Sequence, residues 1–198
     1  MMSAETTTGE RVRIGVSEVV LRTSWYDRLC GWYEEVLRQP PTLDLTPEAN
    51  RGTDDPDLPT RMAFFDLPGE FPYTQRIAIF ECLDVGSTES RSVGLHHIQL
   101  RFPQHESLFD TYRRLKLLGI VPAETDNHGI ATSFYYRDPD YNRVELSALN
   151  FATIADVRGY TTTDRFRRKP EGEPIDVEEL IRRHEAGERY ADMLTPSW

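Results

Sequence analysis

The sequence contains little cysteine, and this scarcity excludes several classes of protein. Its two cysteines, Cys30 and Cys82, are too few and too far apart for a disulfide framework or a zinc ribbon. A chain of 198 residues can bury about 70% of the surface that its unfolded form exposes, so folding needs no covalent cross-links. We therefore expect a protein of a reducing compartment.

Positive charge and long apolar runs are also scarce. The chain has 23 lysines and arginines against 33 acidic residues, for a formal net charge of −10. Binding to a nucleic acid or to an anionic membrane surface needs a basic face, which this balance disfavours. The sequence also lacks the roughly 18 consecutive apolar residues of a spanning helix and the apolar centre of a signal peptide. We predict a cytoplasmic protein that binds a small molecule or a second copy of itself, as a homodimer.

An internal repeat organises the chain, because a strand, a helix and three strands follow one another twice. The first module spans 12–83 and the second spans 93–150, with a polar linker at 84–92 between them. A flexible tail at 1–11 precedes the repeat, and a C-terminal extension at 151–198 follows it. We predict an α+β fold in which two tandem βαβββ modules form a curved mixed sheet around a metal pocket.

The pattern of apolar residues predicts the elements within each module. The first module has a strand at Val12–Arg22, a helix that Pro40 ends, a loop at 41–59, and strands at Arg61–Leu67 and Gln75–Leu83. The second has a strand at Leu95–Phe102, a helix at His105–Leu118, a short strand near Val121, a loop through Asn127 and Gly129, and strands at Thr132–Arg137 and Arg143–Leu149. We place Gly119 at a helix C-terminus, where a positive φ is favoured. The extension holds a short helix at Val177–Arg189.

Three polar residues stand in strands that the repeat brings into correspondence. Glu18 and His97 each come directly before an apolar residue at the same place in their modules, and Glu145 lies in the last strand of the second module. One imidazole and two carboxylates suit a divalent Fe, Mn, Co, Ni or Zn ion. From these residues alone the alternative stays open that both glutamates lie on solvent faces, as charged residues usually do.

Longer motifs resemble those of a known superfamily. NHG followed by SFYYRDPDYNRVEL, the first-module phrases VVLRTSWYDRLCGWYEEVL and RIAIF, and the tail FRRKPEGEPIDVEELIRRHEAGE resemble the vicinal oxygen chelate superfamily. Within it, the chain is most similar to single-chain, extradiol-dioxygenase-like proteins. The resemblance implies an iron site of two histidines and one glutamate, at the positions of Glu18, His97 and Glu145. Fe(II) is then the favoured metal, and Glu18 departs from the family because it replaces a histidine.

The resemblance also assigns residues around that metal, with a second departure. Relatives carry a histidine pair, one member of which is an acid–base group near bound dioxygen, where this chain has Thr74 and Gln75. Neither of those side chains titrates near neutral pH, so ordinary catechol cleavage should be weak or absent. His128 matches a pocket histidine that hydrogen-bonds substrate or oxygen, and Tyr135 matches a tyrosine near the metal-bound oxygens. Tyr136 should point to the other face of its strand.

The remaining candidates receive lesser roles. In a regular strand His96 points away from His97, so we exclude it, together with His105, from the metal ligands. We read Glu81, a possible extra carboxylate, as a surface residue. His184, in the extension, should lie on a solvated helix face.

We therefore expect a metal-dependent enzyme that acts on an oxygen-chelating aromatic or enolisable small molecule, with O2 as co-substrate in a dioxygenase-like reaction. Two alternatives stay open. One is a non-redox isomerase, epimerase or lyase like the glyoxalases, and the other is a small-molecule-binding protein without turnover. Oxygen uptake separates the first reading from the other two, and proton exchange into the substrate separates those two from each other.

Overall fold

The computed structural model describes residues 15–47, 58–70, 74–82, 94–189 and 193. The predicted tail at 1–11 and linker at 84–92 lie outside them. Contacts between residues group the chain into two compact units, and the first holds the described parts of Met1–Tyr26 and Gln39–Val85. The second holds Asp27–Arg38 and the described residues from 94 onward.

The first unit carries a four-stranded mixed sheet. Its strands are β1 (Glu18–Thr23), β2 (Leu43–Leu45), β3 (Arg61–Leu67) and β4 (Gln75–Glu81), in the order β1-β4-β3-β2. β1 runs parallel to β4, and the other neighbours are antiparallel. Phe65, Ile77 and Ile79 are fully or almost fully buried, in keeping with the apolar composition of β3 and β4.

Two expectations for this unit need correction. β1 begins at Glu18, and the described residues before it, 15–17, are not in a strand. The segment predicted as a loop contains β2, which pairs with β3 through Leu43 opposite Phe64. A three-residue edge strand is too short to show an alternating pattern of apolar residues, so it can be recognised only by its hydrogen bonds. The amide of Thr42, directly before β2, donates to the Phe64 carbonyl at 2.7 Å.

The second unit carries a five-stranded mixed sheet and most of the helices. Its elements are α1 (Tyr26–Leu37, of which residues from Asp27 belong here), β5 (Ile98–Phe102), α2 (His105–Leu117), β6 (Glu124–Asn127), β7 (Ala131–Arg137), β8 (Arg143–Leu149), α3 (Ile154–Thr161), α4 (Asp164–Arg168), β9 (Glu173–Pro174) and α5 (Val177–Glu185). The strand order is β5-β8-β7-β6-β9, with β5 parallel to β8 and the other pairs antiparallel.

The two sheets share one topology, which confirms the predicted α+β fold class and its internal repeat. In each, the first strand lies parallel to the fourth, and the third and second strands follow. Val19 is opposite Ile77 in the first sheet, as Ile98 is opposite Val144 in the second. Glu18 and His97 each come directly before these residues. They therefore occupy corresponding positions in the repeat, as the sequence suggested.

The core of the second unit lies between α2 and one face of its sheet. Phe134 is fully buried, and its ring lies 6.4 Å from that of Phe109 and 5.7 Å from that of Tyr112. The helix ends at Leu117, one residue before the predicted end, and Leu118 is 52% exposed. Gly119 has the positive φ, 76°, that the sequence predicted.

The strand expected near Val121 is displaced along the chain. Val121 is exposed and lies in a coil, and β6 covers Glu124–Asn127 instead, so Asn127 is in a strand and not in the predicted loop. The sequence of β6, ETDN, contains no apolar residue, so apolar periodicity could not locate it. Its pairing with β7 defines it.

The C-terminal extension packs on the second sheet and its helix α2. β9 adds to the edge of β6, with Asp126 opposite Pro174. The α5 helix, predicted at Val177–Arg189, ends at Glu185. Its Glu178 accepts a hydrogen bond from the hydroxyl of Tyr112 in α2 at 2.7 Å, so the two helices are in contact. α3, α4 and β9 were not predicted, because the sequence between Phe151 and Glu173 shows no regular alternation of apolar residues.

His184 is half-buried, which corrects the expectation of a solvated helix face. Its ring lies 5.5 Å from that of Phe109 in an edge-on arrangement. It follows Val177, Leu180 and Ile181, the buried residues of α5, at helical spacing. The apolar stripe of the helix therefore includes this histidine.

Both cysteines are buried thiols that form no disulfide bond. In the described part of the chain, no helix is at once long and apolar enough to cross a membrane.

Replacing Phe134 by alanine should lower the free energy of unfolding by about 3–5 kcal/mol, because it leaves a cavity between two aromatic rings. Leu117→Ala is the matched control. That side chain is 89% exposed, so the change should stay within about 0.5 kcal/mol. Urea unfolding measures both values, and equal losses in the two variants would contradict the packing of α2 on the sheet.

Candidate functional site

One face of the second sheet is polar although it is buried. Side chains alternate along a strand, so Ser133 and Tyr135 of β7 share a face with Glu145 and Ser147 of β8, which lie directly opposite them. All four are at most 7% exposed. Gln99 of β5 lies opposite Glu145 on the other side. Buried polar groups need partners, so this face is where chemistry should be sought.

The Glu145 carboxylate is at the centre of this face. It is 3% exposed. Its Oε1 accepts hydrogen bonds from Gln99 Nε2 at 2.6 Å and from Ser133 Oγ at 2.7 Å. Its Oε2 lies 3.0 Å from His97 Nε2. One carboxylate oxygen is thus fixed by two donors, and the other is presented to the imidazole.

His97 comes immediately before β5, and its side chain is 32% exposed. Burial lowers the pKa of His97, against the opposing effect of the Glu145 carboxylate. A lowered pKa favours the neutral imidazole near pH 7, which is the form that binds metal ions.

The position of His96 corrects an expectation. Its Nδ1 lies 2.7 Å from Nδ1 of His97, so the two rings contact each other and do not point apart. The expectation assumed a regular strand, but β5 begins only at Ile98 and the alternation of side chains does not extend to these residues. A partner on Nδ1 helps to fix the orientation of the His97 ring.

Tyr135 and His128 form a second pair beside the first. The Tyr135 hydroxyl lies 2.9 Å from His128 Nε2, and its ring lies 6.0 Å from that of His97. Burial, and after it the charge of Glu145, raises the pKa of Tyr135 to about 12, so the phenol keeps its proton near neutral pH. The Arg143 guanidinium lies over the Tyr135 ring, 4.0 Å from its centroid, and restricts the ring.

The structure thus brings four of the five sequence-predicted residues together in one unit. Glu18, the fifth, is the exposed first residue of β1 in the other unit. Within the described residues, no three His, Cys, Asp or Glu side chains form a group that could hold a metal ion. His97 Nε2 and Glu145 Oε2 lie 3.0 Å apart, and a nitrogen and a carboxylate oxygen are donor types that a divalent ion accepts.

The other candidates lie apart from this group. Tyr136 points to the opposite face as predicted, and it is fully buried. His105 is buried at the start of α2, where its Nε2 lies 3.0 Å from Asn150 Oδ1, and burial lowers its pKa. Glu81 is half-buried and accepts a hydrogen bond from Thr60 Oγ1 at 2.7 Å. Thr74 and Gln75 are exposed.

Sequence reasoning missed the two side chains that hold Glu145, namely Gln99 and Ser133. A signal for both was present. Ser133 stands two residues before Tyr135, and Gln99 two residues after His97, so period-two alternation already placed each near a candidate. Neither residue type titrates, however, and a search for ionisable groups passes over them.

Comparison with known proteins relates this geometry to a family. The profile of the family described as "Glyoxalase/Bleomycin resistance protein/Dioxygenase superfamily" matches residues 15–146. The chain is 29% identical over 186 residues to biphenyl-2,3-diol 1,2-dioxygenase 3 of Rhodococcus globerulus, covering 92% of this chain and 88% of that protein. It is 34% identical over 107 residues to biphenyl-2,3-diol 1,2-dioxygenase 2 of the same organism, covering 54% and 56%.

Solved structures share the fold. A glyoxylase/bleomycin resistance protein/dioxygenase domain from a Frankia species aligns with a TM-score of 0.57 at 23% identity, over 72% of this chain and 96% of that one. A mutant of the fosfomycin resistance protein FosX from Listeria monocytogenes, in complex with Mn(II) and 1S,2S-dihydroxypropylphosphonic acid, aligns with a TM-score of 0.52 at 19% identity, over 73% and 98%. At these identities the likeness concerns the fold alone.

Ser133→Ala should lower the free energy of unfolding by about 1–3 kcal/mol, because the buried Glu145 loses a hydrogen-bond donor. Ser147→Ala is a matched control on the neighbouring strand. Its hydroxyl is fully buried and has no partner in the described structure, so its loss should be almost neutral. Denaturant unfolding compares the two variants. If Ser147→Ala costs as much as Ser133→Ala, the hydrogen bond to Glu145 is not the cause.

Proposed function

The chain belongs to the glyoxalase/bleomycin resistance protein/dioxygenase superfamily, and within it we propose an enzyme that binds one divalent metal ion through Glu18, His97 and Glu145. The observation that carries the proposal is the buried carboxylate of Glu145, whose Oε2 lies 3.0 Å from His97 Nε2. Fe(II) is the favoured ion by resemblance, and Mn, Co, Ni or Zn suit the same donor atoms. Glu18 is included because its position in the first module corresponds to that of His97 in the second, and because the resemblance implies a metal ligand at this position.

Each residue of the second unit has a defined part in this proposal. Gln99 and Ser133 hold one oxygen of Glu145, so the other keeps a fixed direction toward the ligand site. His97 contributes a neutral nitrogen. Tyr135 remains protonated and donates its one O–H hydrogen bond to an oxygen of the bound substrate, while the phenol oxygen accepts a hydrogen bond from His128 Nε2–H across 2.9 Å. A bound divalent ion would supply Lewis acidity and, if it is iron, electrons for oxygen chemistry.

The substrate class follows from the relatives and the donor set. Biphenyl-2,3-diol, the substrate in the names of both curated relatives, carries two adjacent ring oxygens. We propose a substrate that chelates the metal through two such oxygens, as an aromatic or an enolisable small molecule does. An oxidoreductase reaction with O2 as co-substrate is the leading reaction class.

The departures from the family limit what this enzyme does with a simple catechol. Thr74 and Gln75 stand where relatives have an acid–base histidine, and neither titrates near neutral pH. His128 and Tyr135 remain as the proton-carrying groups of the site. We propose that the reaction relies on them, and that a substrate needing the missing histidine is turned over slowly.

A second candidate function is a non-redox reaction of the isomerase, epimerase or lyase type. The presence of Glu18 favours it. A metal ion held by two carboxylates and one imidazole can act as a Lewis acid, which polarises a substrate oxygen while the oxidation state of the metal stays the same. FosX, a neighbour in fold, holds Mn(II) in its solved complex. Retention of substrate-proton exchange in the absence of O2 would select this candidate.

Metal content should depend on His97. We expect His97→Ala to lose most of the bound metal, because Glu145 then keeps no nitrogen partner at the site. The matched control is His184→Ala, which removes a half-buried histidine that packs on Phe109. Elemental analysis after dialysis against trace metal gives the result. Full stoichiometric metal in His97→Ala refutes the assignment.

Cleavage of simple catechols should be slow in the unmodified protein, since a general acid or base usually contributes about 10²–10⁴-fold. Oxygen uptake with 2,3-dihydroxybiphenyl and with catechol is the measurement. Introducing the missing group as Thr74→His with Gln75→His should raise the rate, and the paired alanine variant is the control. Fast cleavage by the unmodified protein, at the rate of the histidine variant, contradicts the inference.

Glu18→His should raise the Fe(III)/Fe(II) potential and strengthen the binding of dianionic catecholates. The reason is charge, because a Glu18 ligand would make the loaded site one unit more negative than a neutral imidazole would, and charges that share one metal ion lie close enough to interact. Glu70→His removes the same charge from an exposed position of the same unit and is the control. If neither potential nor affinity moves, Glu18 is not a ligand.

A further inference from the structure

The segment that carries His128 is enclosed by the C-terminal extension. β9 pairs with β6 so that Glu173 lies opposite Asn127, and the Ile175 amide donates to the Thr125 carbonyl at 3.0 Å. The chain that leads into β9 therefore passes directly beside Asn127 and His128. The extension lies beyond the matched family region, which ends at residue 146.

Gly172 of the extension lies close to His128. It has a φ of 81°, and a Cβ added there would lie 2.8 Å from His128 Nδ1 and 2.5 Å from the Asn127 carbonyl oxygen. Real Cβ atoms essentially never approach other atoms within 3.0 Å. Only glycine allows the backbone to lie against this edge of the imidazole.

A second contact holds the other end of the segment. Gly129 has a φ of 76°, and a Cβ there would lie 2.6 Å from the Tyr160 hydroxyl oxygen. Tyr160 belongs to α3 of the extension, and its buried hydroxyl has no hydrogen-bond partner in the described structure. Its ring also packs on Phe151 and Phe166. The ring of Tyr160 is therefore itself fixed where it contacts Gly129.

We propose that Gly172 and Tyr160 are positioning residues that hold the His128 imidazole so that Nε2 meets the Tyr135 hydroxyl at 2.9 Å. The proposal rests on the proposed function in that it takes His128 to be a substrate-binding group. Gly172 covers Nδ1, so Nε2 is the nitrogen that faces the polar side of the sheet. The extension then determines which nitrogen of His128 serves the substrate, and the catalytic unit includes residues 160–172.

The first experiment compares two alanine substitutions at positive φ. Gly172→Ala introduces the contact with His128, while Gly187→Ala has a φ of 78° and nothing within 4 Å of its added Cβ. Both variants place an alanine at a positive φ and so incur the same kind of backbone strain. The Gly187→Ala variant therefore measures the effect of that strain without a contact to His128. Nitrogen-15 spectra of the histidine rings, assigned with His128→Gln, report the environment of Nε2 in the metal-free full chain.

We expect the His128 Nε2 resonance to move in Gly172→Ala and to stay in place in Gly187→Ala. Affinity for 2,3-dihydroxybiphenyl in the metal-loaded protein should fall about tenfold in Gly172→Ala alone, the size expected for one lost hydrogen bond. A resonance that moves equally in both variants, or in neither, overturns the proposal. A moved resonance with unchanged affinity supports the positioning by Gly172 and overturns the substrate-binding role of His128 in the proposed function.

Tyr160 gives an independent test that does not rely on Gly172→Ala folding. Tyr160→Phe keeps the ring and removes the unpaired hydroxyl, so the His128 resonance should stay close to its original position. Tyr160→Ala removes the ring that restrains Gly129, and the resonance should move or broaden. If Tyr160→Ala leaves the His128 resonance unchanged, the extension does not position this residue.

Discussion

The buried carboxylate of Glu145 is the constraint on which the rest of the site depends. A carboxyl group that is 3% exposed needs partners, because burying a polar or charged group without them costs several kcal/mol. Gln99 and Ser133 satisfy one oxygen, and His97 faces the other. These partners lie on, or next to, the two strands that pair with β8. The pairing register of β5, β8 and β7 therefore fixes their positions relative to Glu145. If β5 or β7 slipped by one residue against β8, the side chain that it contributes to this group would point to the opposite, apolar face.

The proton-carrying groups depend on the same face in a different way. Tyr135 lies opposite Glu145 in the β7–β8 pair, and the carboxylate contributes to the raised pKa that keeps the phenol protonated. His128 reaches Tyr135 from just beyond the end of β6, where its amide donates to the Ala131 carbonyl of β7 at 2.9 Å. The C-terminal extension adds contacts from the other side, because β9 pairs with β6 and Gly172 lies against the imidazole. The sheet thus fixes Glu145 and Tyr135, and in our proposal the extension positions His128.

Periodicity predicted the elements that bury apolar residues and missed those that do not. β3 and β8 have the predicted bounds, and α2 differs from the predicted helix by one residue, because each has a strongly apolar face. β2, β6 and β9 carry few or no buried apolar side chains, and pairing alone defines them. The same limit applies to the site. His97 and Glu145 were predicted through residue type and resemblance, whereas Gln99, Ser133 and Gly172 act through hydrogen bonds and close approach, which depend on tertiary contacts. His96 shows the reverse error, because a strand was assumed where the chain is irregular.

The most direct test of the metal site is an anomalous-scattering measurement on crystals of the full chain loaded with Fe(II) without oxygen. We expect one anomalous peak about 2.0–2.2 Å from both His97 Nε2 and Glu145 Oε2. A peak bound by neither His97 nor Glu145, or no peak under saturating iron, contradicts the account. In that event the buried Glu145–His97 pair is structural, and the chain does not bind a metal there.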